Sequence, residues 1–272
     1  MNYREYYEKC KEKYSGDTSP SVYDVTVTPC FVQDDVLVNG QGRALEFPDN
    51  YSNLISSFAL GFRQRVTDRI NILQDNPFAI KLNDLWGMPE VAKLASAFQP
   101  AMEKNVFGCH SYVEHVHMYR SITTEENPES SWKWHYDDSA DEQCKIMVYL
   151  SDVTIKDGPF TVIYPPVKIQ SSKVGPGETG SQVFPSSRIP GDVIQKWCTT
   201  GMEVEPILGD KGTAILFQQN CVHRATVPEQ GCHRDIIIYN WRPVGSSRPA
   251  MDKRYTYGWD YKGSVKQFET KD

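Results

Sequence analysis

His135-Tyr136-Asp137 is the first place in the chain where residue type and spacing together suggest chemistry. On an extended segment, residues i and i+2 point to one face, roughly 6–7 Å apart along the backbone. An imidazole and a carboxylate can therefore reach one metal ion from a single edge. His223 adds a third donor from the candidate strand Cys221–Val227. Two histidines and one carboxylate form the facial donor set associated with non-haem Fe(II), because three coordination positions stay open for co-substrate and dioxygen. Zinc accepts the same donors, so these three residues alone do not choose the metal.

Arg234 discriminates further. Pro228-Glu229-Gln230-Gly231 reads as a four-residue turn. In that register Val227 pairs with Cys232 and Ala225 with Arg234, which puts Arg234 on the face of His223. Diagonal neighbours of this kind lie about 7–8 Å apart; a turn of odd length would reverse the side chain. A guanidinium grips a carboxylate with two parallel hydrogen bonds. A metal with such a group at that distance matches a short dicarboxylic 2-oxo acid, chelated at one end and salt-bridged at the other.

Several segments then carry a resemblance. They are Trp134-His135-Tyr136-Asp137, Lys145 to Val153 followed by Asp157-Gly158-Pro159-Phe160, and Gly212 to Phe217 leading to His223-Arg224, with Arg234 eleven residues beyond His223. Together, over about residues 110–243, they resemble the Fe(II)/2-oxoglutarate-dependent oxygenase superfamily, and within it the phytanoyl-CoA-hydroxylase-like branch. The resemblance implies a mainly β fold with flanking helices (α+β), built on a double-stranded β-helix (jelly-roll, cupin-like) core. It implies Fe(II) on His135, Asp137 and His223, 2-oxoglutarate as co-substrate anchored by Arg234, and dioxygen as oxidant. Related halogenases have a small residue in place of this carboxylate, so Asp137 implies hydroxylation or another oxygenase outcome. Two departures stand out. Ala225 replaces a Ser or Thr often found two residues after the distal histidine, so another hydroxyl must supplement Arg234. Tyr164-Pro165-Pro166-Val167 replaces a "PGSH" stretch.

Weaker candidates surround these. Tyr149 is read either as a hydroxyl donor to 2-oxoglutarate or as a packed tyrosine. Strict alternation along Ser111–Arg120 puts Ser111, Val113, His115, His117 and Tyr119 on one face. His117 and Tyr119 are then candidates to line the substrate pocket. Arg120, on the other face, is a candidate for an anionic substrate.

The elements that must position these groups follow from periodicity. A short polar helix is predicted over 3–14, and β-rich runs over 22–47. Leu54, Ile55, Phe58, Phe62, Val66, Ile70 and Leu73 recur at helical spacing toward Asn76-Pro77, and a second helix opens at Pro89 and runs toward Gly108. Beyond Gly108, eight short strands are predicted, separated by Gly, Pro and Asp turns: Ser111–Arg120, Trp132–Tyr136, Lys145–Val153, Phe160–Tyr164, Gly201–Ile207, Thr213–Phe217, Cys221–Val227 and Asp235–Trp241. Residues 165–191 form a Ser-, Gly- and Pro-rich stretch that is either a binding loop or a surface insertion. The predicted organisation is one oxygenase domain over 1–272: strands and supporting helices in 1–108, the double-stranded β-helix in 109–243 with the 165–191 insertion, and a tail over 244–272.

Composition narrows the function classes. A charge of −6 without a basic run disfavours a nucleic-acid partner. Seven scattered cysteines without a CxxC spacing predict a reducing compartment. The polar N-terminus and the lack of a long apolar stretch predict a cytoplasmic protein with no membrane association. A small polar metabolite or amino acid is the expected substrate. The alternatives are a protein or peptide side chain, or a non-enzymatic cupin-like metal-binding protein.

Overall fold

The computed structural model describes residues 1–33, 36–39, 44–45, 51–69, 77–82, 85–175, 180, 183–184, 186–245, 255–259 and 265–269. The turn expected at Asp34-Asp35, the helical positions Ile70 and Leu73, and Pro176-Gly177 lie outside these residues.

The first part of the chain builds supports. Helix α1 (Tyr3–Glu12) starts from Asn2, which forms a capping box with Glu5. Strands β1 (Val27–Gln33), β2 (Val36–Asn39) and β3 (Ala44–Leu45) precede helix α2 (Tyr51–Arg69). Strand β4 (Ala79–Lys81) leads to helix α3 (Pro89–Met102), which opens on Pro89 as the fixed φ of proline favours. A π-helical turn continues it to Gly108, whose φ of +59° ends the helix.

The second part is β-rich, as predicted: β5 (Ser111–Ile122), β6 (Cys144–Tyr149), β7 (Phe160–Tyr164), helix α4 (Gly191–Thr199), β8 (Glu203–Ile207), β9 (Ala214–Phe217), β10 (His223–Ala225), β11 (His233–Pro243), and a terminal hairpin of β12 (Tyr255–Trp259) and β13 (Val265–Glu269). An eight-stranded antiparallel sheet runs β3-β2-β1-β9-β6-β11-β5-β4, and a three-stranded sheet runs β10-β7-β8. One face of the large sheet (Met118, Ile146, Val148, Ile237, Tyr239, Trp241) packs with the helices, through Phe58, Phe62, Leu94 and Phe98. Its other face (Met147, Tyr149, Ile215, Phe217, Ile236, Ile238) packs on Phe160, Val162 and Ile207 of the small sheet. Two sheets closing over one interior, with helices behind the larger, make a double-stranded β-helix. Among the described residues no helix is long and apolar enough to cross a membrane.

Four expectations are corrected. Trp132–Tyr136 is not a strand: Ser130–Trp132 forms a 3-10 turn, and only His135 makes a bridge. No hairpin joins β10 to β11, since β10 pairs with β7 while β11 pairs with β5 and β6. The turn at Pro228–Gly231 instead carries the chain from one sheet to the other. Alternation along β5 breaks at a bulge, because Asn240 faces His115 while Trp241 faces Val113. Val113 therefore packs with the helices and His115 does not share its face. Finally, α4 was not anticipated: it is short, opens on glycine and carries β-branched Val193, Ile194 and Thr199, all weak helix formers.

Candidate metal centre and carboxylate anchor

The metal-ligand candidates meet through the backbone first. His135 and His223 exchange both main-chain hydrogen bonds, each 2.9 Å, so their side chains leave the bridge on one side. The ring centroids are 4.2 Å apart. Past His135 the chain turns in: the Asp137 amide donates to Gln219 O at 3.0 Å, and Asp138 takes a left-handed φ of +49°. Aspartate tolerates that conformation better than most residues. The buried Asp138 carboxylate accepts from the Ser172 amide and hydroxyl at 2.8 and 2.6 Å, which fastens the 165–175 strand of chain over the motif.

Donor atoms of His135, Asp137 and His223 lie within 4.8 Å of one another, and this is the one such cluster of three found among the described residues. The three donors are near enough for one divalent ion to engage them once the side chains draw in. The tautomers suit it. Nδ1 of His135 is 2.8 Å from Lys133 O and Nδ1 of His223 is 2.8 Å from Cys221 O. Carbonyl oxygens only accept, so both Nδ1 atoms carry the proton and both Nε2 atoms present lone pairs. Burial, reinforced by the neighbouring His223, lowers the His135 pKa to about 3; burial likewise lowers that of His223. Both rings stay neutral at physiological pH. Burial alone would raise the Asp137 pKa, but the charge and hydrogen bond of Lys145 outweigh it and lower it.

Lys145, unremarked from sequence, donates to Oδ2 of Asp137 at 2.6 Å. That contact occupies one carboxylate oxygen and leaves Oδ1, 3.6 Å from His135 Nε2, for a metal. Phe160 and Phe217 flank His223 at centroid distances of 5.1 and 5.4 Å and shield it from water.

Arg234 is fully buried on the large sheet. It shares the inward face with Ile236 and Ile238 by simple alternation, so its orientation comes from pairing with β5 rather than from a hairpin. Nη2 donates to Ser121 Oγ at 3.3 Å, across the register, while Nε and Nη1 have no hydrogen-bond partner among the described residues. Ser121 is thus a hydroxyl that accompanies Arg234 where Ala225 supplies none. Ala225 sits in an apolar niche with Phe78, Ala79 and Trp132, which leaves no use for a polar side chain there.

The other candidates are dispersed. Tyr149 is buried beside Arg234, but its hydroxyl donates to Ile207 O at 2.8 Å and accepts from the Phe160 amide at 3.3 Å. Tyr119 and His117 face the interior side of β5, opposite Ile236 and Ile238. Arg120 lies on the other face, where Nε and Nη2 meet the two oxygens of buried Asp235 at 2.7 and 2.8 Å. Arg188, also unremarked from sequence, is paired with His135 through the bond from Ile189 N to Trp134 O and that from Tyr136 N to Ser187 O. Its charge acts on both imidazoles.

The fold defined by these sheets is shared with solved structures. EctD from S. alaskensis in its apoform superposes with a TM-score of 0.55 at 13% identity, covering 87% of this chain and 88% of that one. EctD from S. alaskensis with 2-oxoglutarate and 5-hydroxyectoine gives 0.50 at 13%, covering 73% and 71%. The non-heme alpha ketoglutarate dependent epimerase SnoN from nogalamycin biosynthesis gives 0.51 at 13%, covering 90% and 86%. No protein-family model matches the chain, and no curated protein matches it.

Proposed function

We propose that the protein is an Fe(II)- and 2-oxoglutarate-dependent dioxygenase acting on a small polar molecule. The observation that carries this reading is Arg234: a fully buried guanidinium with Nε and Nη1 unpartnered, in the same interior as a three-donor metal cluster. A buried cation left unpaired costs several kcal/mol, and a carboxylate arriving from solution offsets that cost. The donor chemistry also fits, since two neutral imidazoles and one ionised carboxylate are what a divalent ion needs. EctD, which shares the fold, has been solved with 2-oxoglutarate and with Fe.

When bound, Fe(II), 2-oxoglutarate and dioxygen supply an oxidation of substrate coupled to release of succinate and carbon dioxide. The chain's own residues set the conditions. His135, Asp137 and His223 would hold the iron, with the Nδ1 protons fixed on Lys133 O and Cys221 O. Lys145 keeps Asp137 from offering both oxygens. Arg234 and Ser121 would fix the distal carboxylate and so orient the co-substrate. Phe160, Phe217 and Met147 exclude water from that end.

Anaerobic addition of Fe(II) and then 2-oxoglutarate tests this directly. A metal-to-ligand charge-transfer band and slow succinate release are expected, and both should vanish in His223→Ala. A His223→Ala protein with the parent's band and turnover would overturn the assignment.

A further inference from the structure

We infer that the primary substrate is an organic anion whose acidic group is held by Arg188 opposite the ammonium groups of Lys145 and Lys81. The inference rests on the oxygenase reading and adds the substrate class to it.

Arg188 and His135 form a narrow antiparallel pair, because the hydrogen bonds belong to their neighbours and not to the pair itself. Such pairs bring side chains closest, about 4.5 Å between Cα atoms, and send them to the same face. Arg188 therefore borders the metal side of His135. The opposing wall follows from register. Lys81 is opposite Tyr119, His117 is opposite Ile238, and Asn240 is opposite both His115 and Lys145, all on the inward face of the large sheet. Neither Arg188 nor Lys81 has a carboxylate partner among the described residues. The acidic groups at this mouth are engaged elsewhere: Asp137 with Lys145, and Glu114 with Arg242 and His115.

Charge counting gives the direction. Fe(II), Asp137, a dianionic 2-oxo acid and Arg234 sum to zero formal charge. Arg188, and Lys145 once the Asp137 charge is committed to the metal, are then uncompensated in a partly desolvated site with exposed Lys81 at its rim, where like charges repel and an anion is attracted. A neutral substrate would leave them so. Asn240 refines the picture: its Oδ1 is buried without a hydrogen-bond partner among the described residues, in the row of Lys145. An acceptor there suits a substrate with an O–H or N–H near its acidic group.

The test uses the protein loaded anaerobically with Fe(II) and 2-oxoglutarate, and reads the charge-transfer band. The probes are N-acetyl amino acids and their primary amides, matched in shape and differing in charge. Carboxylates should perturb the band saturably while amides do not. Arg188→Gln should weaken the carboxylate effect about 10- to 100-fold, the range for one charge-assisted contact, with 2-oxoglutarate affinity unaltered; Arg188→Lys should restore part of it. Equal responses to acid and amide, no response to any carboxylate, or an Arg188→Gln protein as sensitive as the parent would each overturn the inference. If no band forms before any probe is added, the oxygenase reading itself fails, and that outcome is distinct from the others.

Discussion

Arg120 and Arg234 sit one cross-strand step apart in the same sheet and face opposite ways. Arg120 is locked by two hydrogen bonds to Asp235, on the face turned away from the barrel interior. Arg234 is directed into the interior with a single long bond to Ser121 and two idle N–H-bearing nitrogens. The chain thus gives one guanidinium an internal carboxylate and, among the described residues, gives its neighbour none. Under the proposed function it is the lack of an internal carboxylate, not burial, that distinguishes Arg234 as the anchor.

This contrast can be broken by substitution. The largest effect is expected from Asp235→Ala, which strands Arg120. Removing one partner of a buried pair costs about 3–5 kcal/mol, so thermal denaturation should show a midpoint roughly 10 °C lower, with the 2-oxoglutarate requirement little changed. Arg234→Met should behave in the reverse way. Replacing an unpaired buried cation by an apolar side chain of similar volume is neutral or stabilising, whereas 2-oxoglutarate affinity should fall about 100-fold in titrations of the charge-transfer band. If Arg234→Met unfolds the protein as readily as Asp235→Ala, Arg234 is structural and the anchor reading falls.

Ligand linkage sharpens the same point. Saturating 2-oxoglutarate with Fe(II) should raise the midpoint of the parent by several degrees, since about 2.7 kcal/mol accrues at 100 times Kd. Arg234→Met should show only the shift due to the metal. A smaller effect is expected at Lys145, whose ion pair is with the candidate metal ligand Asp137. Lys145→Met should lower Fe(II) affinity about 10-fold, in the range for groups that orient metal ligands; unchanged affinity would show that Asp137 needs no such partner.

The smallest effect concerns pH. His135 has its pKa lowered from 6.5 to about 3 by burial. Between those values the unfolded chain binds the proton and the folded chain does not, so stability is retained above about pH 6.5 and declines as pH falls toward 3. Metal-free protein should lose a few degrees of midpoint over that window, and His135→Asn should flatten the profile.

Much of this was readable before any coordinates. The candidate metal donors could be grouped because His135 and His223 are two of six histidines and Asp137 lies two residues from the first, and donor chemistry follows from residue type. Arg234 was also legible, though by a route the fold does not use: a hairpin parity was expected, and a pairing with Ser121 and Ile122 of β5 orients it instead. Parity within a single strand is local, but the choice of sheet after a turn depends on where distant segments lie. Lys145 and Arg188 were missed for the same reason. Nothing in Cys144-Lys145-Ile146 tells the chain's reader that the ammonium will meet Asp137, and Arg188 is set beside His135 by a bridge spanning 53 residues of sequence.

Residue type and short-range periodicity therefore determined the helices flanking the first strands, the β-rich core and the identity of the donor atoms. These depend on side-chain chemistry and on neighbours two to four positions away. Only the tertiary structure decided that Arg120 has an internal carboxylate partner and Arg234, among the described residues, only a hydroxyl, that a bulge at Glu114 turns Val113 away from His115, and that Arg188 is set beside His135. Each is a question of what lies opposite, and cross-strand partners are fixed by packing the whole interior, not by the segment that carries them.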